Sequence, residues 1–116
     1  MGKLTTHVLD TAHGKPAAGV AIELYQVDEA LGKTLLKTLL TNIDGRTDLP
    51  ILSEQEFQPG IYELVFSIGD YFQSFLAFAQ PTFLNRIPIQ FRLTDDEAYH
   101  VPLLVSPWAY STYRGS

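Results

Sequence analysis

Val20-Ala-Ile-Glu-Leu-Tyr-Gln-Val27 alternates, with Val20, Ile22 and Leu24 on one face and Glu23 on the other. A two-residue period belongs to a strand with one buried side, because successive side chains point to opposite faces of a sheet. Ile61 to Ile68 reads as a second core strand, rich in the aromatic and β-branched residues that packed sheets favour. Between them lies Leu35 to Thr41, closed by Asn42-Ile43-Asp44-Gly45, a turn in which Gly45 can take positive φ without penalty. Leu4 to Leu9 is the expected first strand, ended by Asp10 and by His13-Gly14-Lys15-Pro16. Arg86 to Leu93, Tyr99 to Val105 and Trp108 to Tyr113 complete the set, the last two joined at Ser106-Pro107. Short β segments punctuated by turn chemistry predict an all-β sandwich or barrel. No repeat, linker or low-complexity stretch interrupts it, so residues 1–116 are expected to form a single domain.

One stretch has a different period. In Asp70 to Ala79, residues Phe72, Phe75, Leu76 and Ala79 recur at helical spacing, with Asp70 placed to cap the start and Pro81 to stop the end. Its aromatic stripe suits packing against the sandwich better than holding a ligand.

Composition narrows the function. Hydrophobic residues make up 46% and charged ones 18%, which marks a globular chain rather than a disordered one. A net charge of −5 argues against nucleic acid, whose binders cluster Lys and Arg. There is no apolar run long enough to span a membrane. The myristoylation-like start at Met1-Gly2 carries little weight, because Leu4, Thr6 and Val8 have a better use in a strand. The lack of cysteine and of a visible leader implies a cytoplasmic location, with periplasm and peroxisome left open.

Pleat parity singles out the candidate site. Leu4, Thr6 and Val8 share one face of the first strand; Thr5, His7 and Leu9 share the other. Tyr99, Val101, Leu103 and Val105 form the better core face of their strand, which sends His100, Pro102 and Leu104 outward. If the first and last strands share a sheet, His7, His100, Ser111 and Tyr113 gather on its outer surface. Such a mixed apolar and polar face is a candidate interface.

His7 and His100 can exchange protons near neutral pH, although a lone strand histidine is more often structural. His13, in a turn, reads as a solvated loop residue. Arg46, directly after Asp44-Gly45, presents a planar fork suited to a carboxylate or an imide-like substrate; pairing with Asp44 or Asp48 is the plainer alternative. No third metal ligand of suitable type or spacing accompanies the histidines, so a metal is not expected, and no phosphate loop or nucleophile elbow is present. The closing Tyr113-Arg114-Gly115-Ser116 either serves the site or is simply a fraying edge strand.

Three separated motifs carry a family resemblance. Thr6-His7-Val8-Leu9-Asp10 with Gly14-Lys15-Pro16-Ala17 resembles the opening of the transthyretin-related 5-hydroxyisourate hydrolases. Thr41-Asn42-x-Asp44-Gly45-Arg46 resembles their second motif. Tyr99-His100-Val101-Pro102-Leu103-Leu104-x-Ser106-Pro107, with the closing Tyr110 to Ser116, resembles their third. The closing Tyr-Arg-Gly-Ser is the most telling part, since the hormone-carrying transthyretins lack it.

The resemblance implies a transthyretin-like eight-stranded β-sandwich with one short helix, assembled as a homotetramer, a dimer of dimers, with sites in the channel between dimers. It implies cofactor-free hydrolysis of 5-hydroxyisourate to 2-oxo-4-hydroxy-4-carboxy-5-ureidoimidazoline in urate degradation. His7, Arg46 and His100 are carried over as catalytic and substrate-contacting, and Tyr113, Arg114 and Ser116 as substrate-binding. The rival reading is a transthyretin-like small-ligand carrier without catalysis. Thr82 to Pro88 departs from the family's usual Phe-Phe-Pro stretch, which leaves that loop and the strand start after it undefined.

Overall fold

The computed structural model of the chain describes residues 1–75 and 81–116. Its strands are β1 (Lys3–Thr5), β2 (Val8–Asp10), β3 (Lys15–Pro16), β4 (Ala21–Asp28), β5 (Gly32–Leu40), β6 (Gly60–Phe66), β7 (Ile87–Leu93), β8 (Ala98–His100), β9 (Leu103–Val105) and β10 (Tyr110–Thr112). One helix, α1 (Ile68–Gln73), follows β6. One sheet runs β5-β4-β6-β7, all antiparallel. The other runs β10-β9-β2-β3, and β1 pairs with β8 beside it.

The ten segments reduce to eight strand runs. β1 and β2 keep one parallel register against β8 and β9, with Thr5 opposite His100 and Val8 opposite Leu103. Val101 N donates to Thr5 O and Leu103 N to His7 O, both at 2.9 Å, so pairing continues through the break. Pro102, within it, has no N–H to give.

The alternation in β4 becomes burial: Ile22 and Leu24 are inside while Glu23 is half-buried. Leu4, Val8, Leu103 and Val105 face them from the other sheet, all fully buried. Each such aliphatic side chain contributes about 1.5–3 kcal/mol relative to exposure. Among the described residues β5 is an edge strand, paired with β4, and the lysines Lys33 and Lys37 protect it from unwanted pairing. Lys33 also reaches the buried Glu63 at 2.8 Å.

Several expectations need correcting. The helix begins at Ile68, with Ser67 rather than Asp70 at its N-cap, because the chain turns helical directly off the end of β6. Asp70 sits instead in the first turn, where a carboxylate suits the helix dipole. Phe72 is fully buried and Phe75 packs against the core as expected; Leu76 and Ala79 lie outside the described residues. His13 is not merely solvated: its Nδ1 is 2.6 Å from Asp10 Oδ2 and its ring lies tilted against Phe75, centroids 4.3 Å apart. Pro102 is buried despite its outward parity, because the C-terminal tail runs alongside it. In the divergent loop, Leu84 N bonds Pro107 O and Asn85 O accepts from Gly69 N, and β7 starts one residue later than expected. Among the described residues no helix is long and apolar enough to cross a membrane.

Candidate functional site

Thr6 turns inward, 2% exposed, and donates to Val101 O at 2.7 Å. The pleat therefore turns Thr5 and His7 outward, on the side His100 occupies in the neighbouring run. All three are half-buried. Two histidines distant in sequence become neighbours because β1 and β8 are parallel and in register.

Arg46 reaches this face from a separate turn. Asn42 Oδ1 accepts from the backbone N–H groups of Asp44 and Arg46, at 2.9 and 3.2 Å, which braces the loop. Gly45 adopts φ 75°, and its carbonyl accepts from Val8 N at 2.8 Å. A Cβ on Gly45 would collide with the Val8 carbonyl oxygen, so only glycine lets the turn dock there. That docking point is one residue beyond His7, and Arg46 follows immediately. Among the described residues Arg46 forms no ion pair with Asp44 or Asp48; Asp48 instead accepts from Asn42 Nδ2 at 3.0 Å.

The C-terminal tail supplies the third side. β10 pairs antiparallel with β9, Tyr110 opposite Val105 and Thr112 opposite Leu103, and the same register carries on to Gly115 opposite His100. His100 N donates to Gly115 O at 3.2 Å, and Gly115 N to His100 O at 2.7 Å. Parity then turns Arg114 away from His100. Its guanidinium bonds Glu97 at 2.6 Å and lies 4.5 Å over the Tyr99 ring. Tyr113 and Arg114 line a separate hollow with Phe91 and Arg92, and Tyr113 is 60% exposed.

Lys3, Thr5, Arg46, His100 and Ser116 line a hollow of about 400 Å³. Its side chains include two cations and no carboxylate, although the chain as a whole carries −5. The His100 pKa lies below its ordinary 6.5, first through burial, then through the Arg46 charge, then through His7. A depressed pKa keeps the imidazole neutral near pH 7, with a lone pair available. His7 and Arg46 thus stand within electrostatic reach of His100. A larger hollow of about 580 Å³ lies by α1, among Lys15, Tyr71 and Phe75, and contains none of the sequence-predicted residues. Among the described residues no group of three or more His, Asp or Glu is arranged to hold a metal ion.

Arg46, His100 and Ser116 therefore share one hollow, with His7 within electrostatic reach of His100, while Tyr113 and Arg114 line another. Lys3, Thr5 and Gly115 were not singled out from sequence. Thr5 shares the pleat face of His7, a signal that was legible; nothing in the sequence marks Gly115 as the partner of His100.

The chain belongs to the HIUase/Transthyretin family, whose sequence model matches residues 4–115. The 5-hydroxyisourate hydrolase of Pseudomonas aeruginosa is 52% identical over 118 residues, covering 100% of this chain and 93% of that protein. Among solved structures, (S)-allantoin synthase superposes with a TM-score of 0.90 at 44% identity over 99% of this chain, which spans only 44% of that longer one. Klebsiella pneumoniae 5-hydroxyisourate hydrolase superposes with a TM-score of 0.80 at 34% identity, with full coverage of both chains. Sea bream transthyretin, solved in complex with thyroxine, superposes with a TM-score of 0.86 at 26% identity, covering 97% of this chain and 94% of that one. The fold is transthyretin-like.

Proposed function

We propose that this chain hydrolyses 5-hydroxyisourate to 2-oxo-4-hydroxy-4-carboxy-5-ureidoimidazoline, a step of urate degradation. The observation that carries this reading is that Arg46 and His100 line one hollow, with His7 within electrostatic reach of His100, in a chain 52% identical over its full length to a protein named for that activity.

The chemistry follows from the groups present. Water attacks a ring carbonyl, and a neutral imidazole takes the water proton as the new C–O bond forms. The C–N bond then breaks, and the proton passes to the departing ring nitrogen. A positioned general base is typically worth about 10²–10⁴-fold in rate. Arg46, without an ion-pair partner among the described residues, can bind the planar substrate and stabilise negative charge growing on oxygen, an effect strengthened where water is excluded. Ser116, in the same hollow, is placed to contact substrate. Arg114 serves by fastening the tail that carries Ser116, through Glu97 and the Tyr99 ring.

We further propose assembly as a dimer of dimers, with the hollow opening onto the channel between them. Exposed Trp108 and Tyr110, and Leu35, Leu36 and Leu40 on β5, give the chain apolar surface to bury.

The deciding experiment follows the decay of 5-hydroxyisourate spectroscopically with wild type and with His7→Ala, Arg46→Ala and His100→Ala, each checked for retained fold. Strong loss in all three variants is expected. A carrier without catalysis would leave the decay at its uncatalysed rate with wild type as well.

A further inference from the structure

The imidazole of His100 is gripped from two sides by residues outside the reacting set. On one side, Thr5 Oγ1 lies 2.9 Å from His100 Nδ1, across the in-register pair of β1 and β8. On the other, the Gly115 backbone lies against the ring: a Cβ there would stand 3.1 Å from His100 Cβ and 3.2 Å from Cδ2. Gly115 and His100 exchange backbone hydrogen bonds, so their separation is set by the strand ladder and cannot relax freely. With Nδ1 engaged by Thr5 and Cδ2 covered by Gly115, the Cε1–Nε2 edge is what remains for the hollow.

The Thr5 hydroxyl has one hydrogen to give and two neighbours. Nδ1 is at 2.9 Å, and the Tyr99 carbonyl oxygen is at 3.5 Å, a long contact that a hydroxyl can serve only by donating. Both contacts are satisfied together in one arrangement: Thr5 O–H donates to Tyr99 O, and His100 Nδ1–H donates to Thr5 Oγ1. That arrangement leaves Nε2 unprotonated.

We propose that Thr5 and Gly115 are positioning residues that hold His100 as its Nδ1–H tautomer, with the Nε2 lone pair turned to the hollow as the proton acceptor. This rests on the hydrolase reading above and adds to it which histidine accepts the proton and through which nitrogen. Burial first, then the Arg46 charge, favour the neutral imidazole that a tautomer requires.

The test uses the full chain labelled with ¹⁵N-histidine, and compares wild type with Thr5→Val, Thr5→Ser and Gly115→Ala. NMR of the ring nitrogens reads the His100 tautomer without substrate, and turnover is measured in parallel. Wild type is expected to show His100 protonated at Nδ1. Thr5→Val, close in shape but without the hydroxyl, is expected to mix the tautomers and lower kcat about tenfold, the rate equivalent of one neutral hydrogen bond, with KM little changed. Thr5→Ser should restore both. Gly115 has no positive φ, so alanine there tests only the Cβ against the ring; displacing the imidazole should cost about 100-fold in turnover. A wild-type His100 protonated at Nε2, or a Thr5→Val protein with unchanged tautomer and turnover, would overturn the proposal. Because the tautomer is read on the free protein, failure of the hydrolase reading and failure of this one are separable.

Discussion

The Tyr71 hydroxyl donates a 2.7 Å hydrogen bond to Asp10 Oδ2, tying α1 to β2. Asp10 is 1% exposed and also accepts from the backbone N–H groups of Ala12 and His13, at 3.0 Å each, and from His13 Nδ1. A buried carboxylate is tolerable only when its lone pairs are met in this way. Tyr71→Phe removes one donor and is expected to destabilise the fold by about 1.5–3 kcal/mol in urea unfolding, as for other hydrogen bonds to charged groups. Burial, and then Asp10, raise the Tyr71 pKa well above the ordinary tyrosine range. Its contribution is therefore complete below the unfolded pKa of about 10 and is lost as pH rises beyond it toward the folded value. The stability gap between wild type and Tyr71→Phe should accordingly narrow in strong alkali; a gap unchanged by pH would contradict this account.

Glu56 behaves with the opposite sign. Its pKa is lowered to about 2, first by the Lys37 ammonium and then by Ser53. Lys37 lies 2.7 Å from Glu56 Oε2 and also donates to Ile51 O at 2.9 Å, so it clasps β5 to the 51–56 loop. The stabilisation is full above the unfolded carboxylate pKa of about 4.3 and disappears as pH falls toward the folded value. Unfolding curves of wild type and Glu56→Gln should differ near neutrality and converge in acid. The difference should be small, because both partners are partly exposed.

The Arg46 charge is one cause of the depressed His100 pKa. Removing it with Arg46→Gln is expected to move that pKa up toward 6.5 without reaching it, since burial, the larger cause, remains. NMR titration of the His100 ring measures this directly, whatever the variant's activity. A fall in the His100 pKa would show that the two side chains do not face one another.

The C-terminal tail is expected to matter through its backbone and last residue more than through Arg114. Deleting Tyr113 to Ser116 removes both the Gly115–His100 pairing and Ser116, and should lower turnover by about 100-fold or more. Arg114→Ala breaks an ion pair whose partners are about half exposed, an interaction typically worth about 0–1 kcal/mol, and should cost only a few-fold. Equal losses from the two changes, measured in the same decay assay, would return Arg114 to the substrate-binding set.

Much of this protein was legible before its structure. The period-two alternation around Ile22 and Leu24, and in Leu4 to Val8, is a direct record of which side chains leave water, so strands and core could be read from residue order. Parity also sent Thr5, His7 and His100 to one face, because side-chain direction in a strand depends only on counting. The helix start was misplaced by competing signals: Asp70 is a good capping residue, but the end of β6 decided where helical geometry began.

What the residues could not declare was distance between strands. The parallel register that puts Thr5 against His100, and the docking of Gly45 on Val8 that delivers Arg46, are contacts between segments far apart in the chain. The side to which Arg114 turns followed from the register of the tail on β8 and β9, which turn chemistry alone does not define. Local order is written in neighbouring residues, since propensity and periodicity act over a few positions. The site depends on long-range pairing, whose geometry exists only once the whole core has closed.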